Sequence, residues 1–195
     1  MVELSNDTQA VDPVERAARR KAALARVRKF GDPVLRAKAL PVDRFDRRLH
    51  DEVVAMERIM DDAVGIGLAA TQLGVMHRVL IYRIGQDAPL VALVNPEIEW
   101  SSADAEVGEE GCLSLPGVVA EVERPIYVRA RAQDTDGSAI LLEASGLEAR
   151  VVQHEVDHLN GTLILDRIDK AQRREAMQTL RGERSADGVE ALGAI

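Results

Sequence analysis

A chain of 195 residues with 46% apolar composition can bury one sizeable core and is short for two, so a single domain is expected. A net charge of -8 and an aromatic content of 3% exclude general binding of DNA or other phosphate backbones, which calls for a basic surface and stacking rings. The one cysteine, Cys112, leaves no internal disulfide, and the polar start and short apolar runs show no signal peptide or membrane span, so a cytoplasmic address is expected.

Residues 1–24 are polar and charged without a strand pattern and read as an extension, flexible or a frayed helix. Its basic run (Arg16, Arg19, Arg20, Lys21), continued by Arg26, Arg28 and Lys29, reads as a solvated charged face, with contact to ribosomal RNA as the sharper alternative. From Asp43 onward, Phe45, Leu49, Val53, Met56, Met60 and Val64 recur at spacings of four and three and predict a helix with one apolar stripe. A glycine-rich turn follows over residues 65–74. Short β-like runs come next, at 78–84, 90–94, 118–122, 126–131 and 139–143, with Asp136-Gly137 as one turn signal.

The gaps between most of these runs are too short for crossover helices, so the strands are expected to be antiparallel and the fold class α+β. Leu147, Val151, Val152, Val156 and Leu159 then mark a second helix, closed by Asn160-Gly161 and set in the middle of the strands. Residues 171–180 form a short charged helix, and residues 181–195 a loose tail, outside a catalytic domain of residues 25–180.

The second helix carries His154-Glu155-Val156-Asp157-His158, the pattern His-Glu-x-x-His. Two imidazoles four residues apart on a helix point the same way and can grip one divalent ion, while the intervening glutamate reaches water at that ion as a base. Two histidines that merely fell at this spacing are the bland alternative. A catalytic site of this kind needs a third protein ligand. A metzincin is excluded because Ile164 stands where its third histidine would lie. Glu175, Glu183 and the thiolate of Cys112 are the remaining choices.

Cys112 lies in Glu110-Gly111-Cys112-Leu113-Ser114, Gln153 directly precedes His154, and Gly65-Ile66-Gly67-Leu68-Ala69-Ala70-Thr71-Gln72 stands upstream. In this order the three segments resemble the signature motifs of the peptide deformylase family, and Gly31-Asp32-Pro33-Val34-Leu35 resembles its usual opening; the similarity runs from Val27 to Asp169. The resemblance implies hydrolysis of the formyl group on N-formylmethionyl nascent peptides, with release of formate. It implies one divalent metal ion held by Cys112, His154 and His158, with Fe(II) native and Zn, Ni or Co as substitutes.

Glu155 is then the general acid and base, and the Gln72 side-chain amide and the Leu113 backbone N–H stabilise the oxyanion. Gly65, Ile66, Gly67, Glu110, Gly111, Leu147 and Val151 meet the substrate. Ile66 and Gly111 pair with its backbone as with an added strand, and Gly65, Glu110, Leu147 and Val151 surround the methionine side chain. Arg150 stands where some relatives carry an apolar pocket residue, and Val119 where some carry an arginine.

Two rival readings use the same histidine pair. One is a metalloendopeptidase. The other is a metal-containing scaffold or ribosome-bound factor without catalysis, which would normally take a fourth protein ligand and has no use for Glu155.

Overall fold

The computed structural model describes residues 12–85 and 87–182, so expectations for the first 11 residues and for 183–195, Glu183 included, lie outside the described residues. Pro13 opens helix α1 (Pro13–Arg26), and the Asp12 carboxylate caps it by accepting the Val14 N–H at 3.0 Å. Of the two readings of this segment, residues 13–26 take the helical one, α1. A boundary at residue 24 falls inside it, and Ala23 and the cap residue Val27 are buried in one apolar cluster with Leu49, Val53 and Met56. Arg16 and Arg19 are solvated as expected, Arg19 pairing with Glu15, but Lys29 is half-buried.

Asp46 accepts the Arg48 N–H at 2.9 Å and starts α2 (Arg47–Ala63). Its buried stripe is Leu49, Val53, Met56, Ile59, Met60 and Ala63, and each large apolar side chain there contributes about 1.5 to 3 kcal/mol by leaving water. The two ends of the expected stripe differ. Phe45 precedes the helix and packs on the cluster from outside it, whereas Val64 is the helix cap, more than half exposed and left-handed at φ 63°.

The glycine-rich stretch is more than a turn: it holds strand β1 (Gly67–Ala69) and one 3-10 turn over Ala70–Leu73. Then follow β2 (Val79–Tyr82), β3 (Val91–Ser101), β4 (Ala105–Gly111), β5 (Val119–Pro125), β6 (Tyr127–Gln133) and β7 (Ala139–Ser145). The sequence reading ended β3 at residue 94 and missed β4 altogether. All strand pairs are antiparallel, in a five-stranded sheet of order β1-β2-β3-β6-β7 and a separate β4-β5 hairpin, so the class is α+β.

Helix α3 (Gly146–Leu159) packs against β1, β2, β3 and β7 of the sheet and against β5 of the hairpin. Ala149 and every residue from Val151 to Leu159 are buried, so a polar side chain in that stretch must be paired or functional. Gly161 ends the helix at φ 72°, and a Cβ there would lie 2.5 Å from the Arg36 carbonyl oxygen; conformation and space both demand glycine. Helix α4 (Lys170–Leu180) covers β5, with the Gln172 side chain accepting the Glu121 N–H at 2.8 Å. No described helix is long and apolar enough to cross a membrane.

Candidate metal centre

His154 and His158 stand one turn apart on α3 with ring centroids 4.9 Å apart. Cys112 follows directly on the last residue of β4, so the hairpin delivers the thiol to the helix. One ligand atom from each of the three lies within 4.8 Å of the others, and all three residues are buried. Among the described residues this is the group that forms, so the third candidate ligand is Cys112 and not Glu175, which sits on α4.

Both imidazoles are in a form a cation can use, and the thiol becomes so when a cation displaces its proton. The His154 Nδ1 lies 2.9 Å from Glu110 Oε2. Burial pushes the Glu110 carboxyl upward, but hydrogen bonds from His154 and Arg124 outweigh it and hold it at about 2, so it is ionised at neutral pH. Nδ1 therefore carries the ring proton and donates it, leaving Nε2, which is buried with no partner among the described residues, as the ligand atom. Burial drives His158 well below its ordinary value and keeps it neutral. Burial likewise pushes the Cys112 thiol up to about 12, so its proton stays until a cation displaces it. One thiolate and two imidazoles, with an orphaned ring nitrogen and no fourth protein ligand in the group, suit a single divalent ion with an open position.

Glu155 is fully buried, and neither carboxylate oxygen has a partner among the described residues. Burial raises its pKa well above the ordinary carboxylate value. A carboxylate left unpaired in a core is destabilising by several kcal/mol, roughly, and is the kind of group retained for chemistry. Gly67 explains how it fits: a Cβ there would meet Glu155 Oε1 at 2.5 Å and Val151 Cγ1 at 3.0 Å. The Gln72 side chain is held at both ends. Its Oε1 accepts the Ala69 N–H at 2.9 Å, and its Nε2 lies 3.3 Å from Ser114 Oγ and 3.8 Å from Cys112 Sγ.

The remaining expected residues divide. A Cβ on Gly65 would touch Leu113 Cδ1 at 3.2 Å, so these two segments adjoin. Ile66 is partly buried, Gly111 closes β4 opposite Val119, and Val151 is wholly buried beneath Gly67. Leu147 is half exposed on the first turn of α3, where it lines a cavity of ≈ 240 Å³ with Val107, Gly108, Pro125, Ile126 and Arg150. Glu110 is not on that surface. It lies fully buried behind His154, its oxygens accepting from Arg124 at 2.9 and 3.0 Å and from Arg150 at 2.9 Å. Arg124 reaches on to Asp157 at 2.6 Å.

Sequence reasoning missed Arg124, which carries no local signal, gave Ser114 no role although it closes the Glu110–Ser114 motif, and read Arg150 only as a departure. Arg150 also donates to the carbonyls of Val122 and Glu106, each at 2.8 Å, and so ties β4 and β5 to α3. A larger groove of ≈ 680 Å³, bordered by Lys38, Arg78, Asn95 and Arg167, contains none of the ligand group.

Residues 24–174 match the model of the polypeptide deformylase family. The peptide deformylase of Clostridium botulinum is 49% identical over 148 residues, which are 76% of this chain and 99% of that one. The peptide deformylase of Thermotoga neapolitana is 47% identical over 148 residues, 76% of this chain and 89% of its own. The crystal structure of a peptide deformylase from Legionella pneumophila matches with a TM-score of 0.77 at 37% identity, covering 80% of this chain and 93% of that one. Sequence, fold and the Cys112, His154 and His158 group agree, and the chain belongs to the polypeptide deformylase family.

Proposed function

We propose that the chain hydrolyses the formyl group of N-terminal formylmethionine on newly made polypeptides and releases formate. The observation that carries this reading is Glu155, a buried carboxylate with both oxygens unpartnered, one residue from a Cys/His/His group. A structural site has no use for it. When bound by Cys112, His154 and His158, a divalent metal, with Fe(II) native and Zn, Ni or Co able to replace it, supplies a Lewis acid that polarises the formyl oxygen and acidifies water.

Every other step belongs to the protein. Glu155 takes a proton from the attacking water as the new carbon–oxygen bond forms, and then gives it to the departing amine as the carbon–nitrogen bond breaks. Burial raises its pKa above the ordinary carboxylate value, the direction that helps it hold and then return a proton. Gln72 Nε2 and the Leu113 N–H donate to the oxyanion as charge develops there; support comes from the clamp on the Gln72 amide, which removes its freedom before substrate arrives. Glu110 acts behind the site by fixing the His154 tautomer.

The substrate backbone pairs with Ile66 and Gly111 in the manner of an added strand. Its methionine side chain enters the ≈ 240 Å³ cavity lined by Gly108, Leu147 and Arg150, while Gly65, Gly67 and Val151, which do not line that cavity, meet the substrate nearer Leu113 and Glu155. Residues 25–180 act as the catalytic domain and the reaction takes place in the cytoplasm, where nascent chains emerge and a free Cys112 stays reduced. The basic face of α1 is the surface for any contact with the ribosome. The test is formate release from formyl-Met-Ala-Ser by protein prepared without oxygen. Turnover there, with no cleavage of unfolded casein, supports the reading; casein cleavage without formate release points to the endopeptidase instead.

A further inference from the structure

The three residues that link α1 to the Gly31 turn lie directly behind both groups assigned to the oxyanion, and each sends one hydrogen bond to Gln72, Leu113 or the adjoining Ser114. The Arg28 N–H donates to the Gln72 carbonyl at 2.7 Å, the Lys29 ammonium to the Leu113 carbonyl at 2.8 Å, and the Phe30 N–H to the Ser114 carbonyl at 2.9 Å. Two of these are backbone contacts that many residues could make. The Lys29 contact is a choice of side chain, made by a residue that the sequence pattern assigned to a solvated basic run.

That choice bears on geometry. The Leu113 carbonyl belongs to the peptide unit just after the one whose N–H faces the oxyanion, and the two units share the Leu113 Cα. Holding the carbonyl with a charged donor limits rotation about that Cα, and so limits the swing of the Leu113 N–H. The Gln72 amide is tied to the same loop through Ser114 Oγ at 3.3 Å, and its own backbone is held by Arg28. The 3-10 turn bearing Gln72 closes at Gly74, φ 81°, where a Cβ would meet Arg28 Nε at 2.8 Å. One short segment therefore braces both donors against each other.

We propose that Lys29 is a positioning residue for the reaction, its ammonium fixing the Leu113 carbonyl so that the Leu113 N–H and the Gln72 amide stay aimed at one point. The inference rests on the oxyanion roles given above for Gln72 and Leu113. A brace of this kind acts on the transition state more than on bound substrate, so its loss appears in kcat.

The experiment compares Lys29→Met, Lys29→Arg and Gln72→Leu with the unaltered protein, each at a full equivalent of metal, on formyl-Met-Ala-Ser. Lys29→Met keeps the stem and removes the donor; its kcat falls by about tenfold, with KM within about twofold, and Lys29→Arg recovers to within about threefold because it can still donate. An unchanged kcat in Lys29→Met, a loss carried by KM alone, or an Arg variant as slow as the Met variant overturns the inference. If Lys29→Met does not fold with metal, Lys29→Gln is read in the same way. Gln72→Leu separates the two layers: if it keeps its kcat, the oxyanion reading fails and takes the inference with it. If it loses about a hundredfold while Lys29→Met loses nothing, only the inference fails.

Discussion

Replacing Gly67 by alanine adds one methyl group at the point where β1 passes the Glu155 carboxylate. The new Cβ would lie 2.5 Å from Glu155 Oε1, 3.1 Å from its Cδ and 3.0 Å from Val151 Cγ1, whereas ordinary contact begins near 3.4 Å. Val151 is wholly buried and β-branched, so it has little room and few rotamers to give. The free end of Glu155 is the easier part to move, and it must retreat by about 1 Å, away from the position in which it exchanges protons. Misplacement on that scale lowers turnover by about a hundredfold. Overpacking of the surroundings lowers stability by about 1 to 3 kcal/mol, seen as a lower Tm. The assay is formate release from formyl-Met-Ala-Ser, with metal content measured on the same preparation, because the atoms nearest the added methyl belong to Glu155 and Val151 and not to the three ligands. Turnover within threefold of the unaltered protein, at an unchanged Tm, would refute the claim that Gly67 exists to seat Glu155.

Cys112→Ala is expected to lose both metal and activity; in the unaltered protein each metal ion taken up near neutral pH displaces about one proton, because burial holds the free thiol up at about 12. Calorimetric titration in buffers of different ionisation enthalpy reads that proton, and metal uptake without it would contradict thiolate ligation. The Glu110 carboxyl is held at about 2 in the fold against its ordinary 4.5, so its contribution to stability is complete above pH 4.5 and is lost as the pH falls toward 2. Urea midpoints of the metal-free protein across that range are expected to fall more steeply for the unaltered chain than for Glu110→Gln, which is already weakened by about 1 to 3 kcal/mol because Arg124 and Arg150 lose their shared carboxylate and keep only Asp157 and backbone carbonyls. Val64, exposed and left-handed at φ 63°, is a β-branched residue where asparagine is better suited, and Val64→Asn is expected to gain about 0.5 to 1 kcal/mol in chemical denaturation.

How far the sequence reached depends on how local each signal was. The histidine pair is written within five residues and depends only on helical period, so His154, Glu155 and His158 are legible without any fold. Cys112 comes from another element, at the end of a hairpin, and chemistry alone left it beside Glu175 and Glu183; the order of the motifs singled it out. Strand β4 was illegible because Ala105–Gly111 has two glutamates together and two glycines, which reads as an acidic loop. Glu110 turns inward there only because Arg124 and Arg150 arrive from β5 and α3 to meet it. Lys29 misled for the opposite reason: it continues a basic run, and only the packing of α1 shows that its ammonium ends on Leu113. The packed end of α1 was equally hidden, since a few apolar residues among charges make a weak stripe until α2 is beside them.

The central claim is that the site hydrolyses a formamide and no larger amide, and it is tested most directly by giving metal-replete protein formyl-Met-Ala-Ser and acetyl-Met-Ala-Ser side by side. The account predicts formate release with a kcat/KM at least about tenfold above acetate release, since one added methyl in a tight site is worth roughly 1 to 3 kcal/mol. Equal rates on the two peptides, or cleavage inside either one, would contradict it.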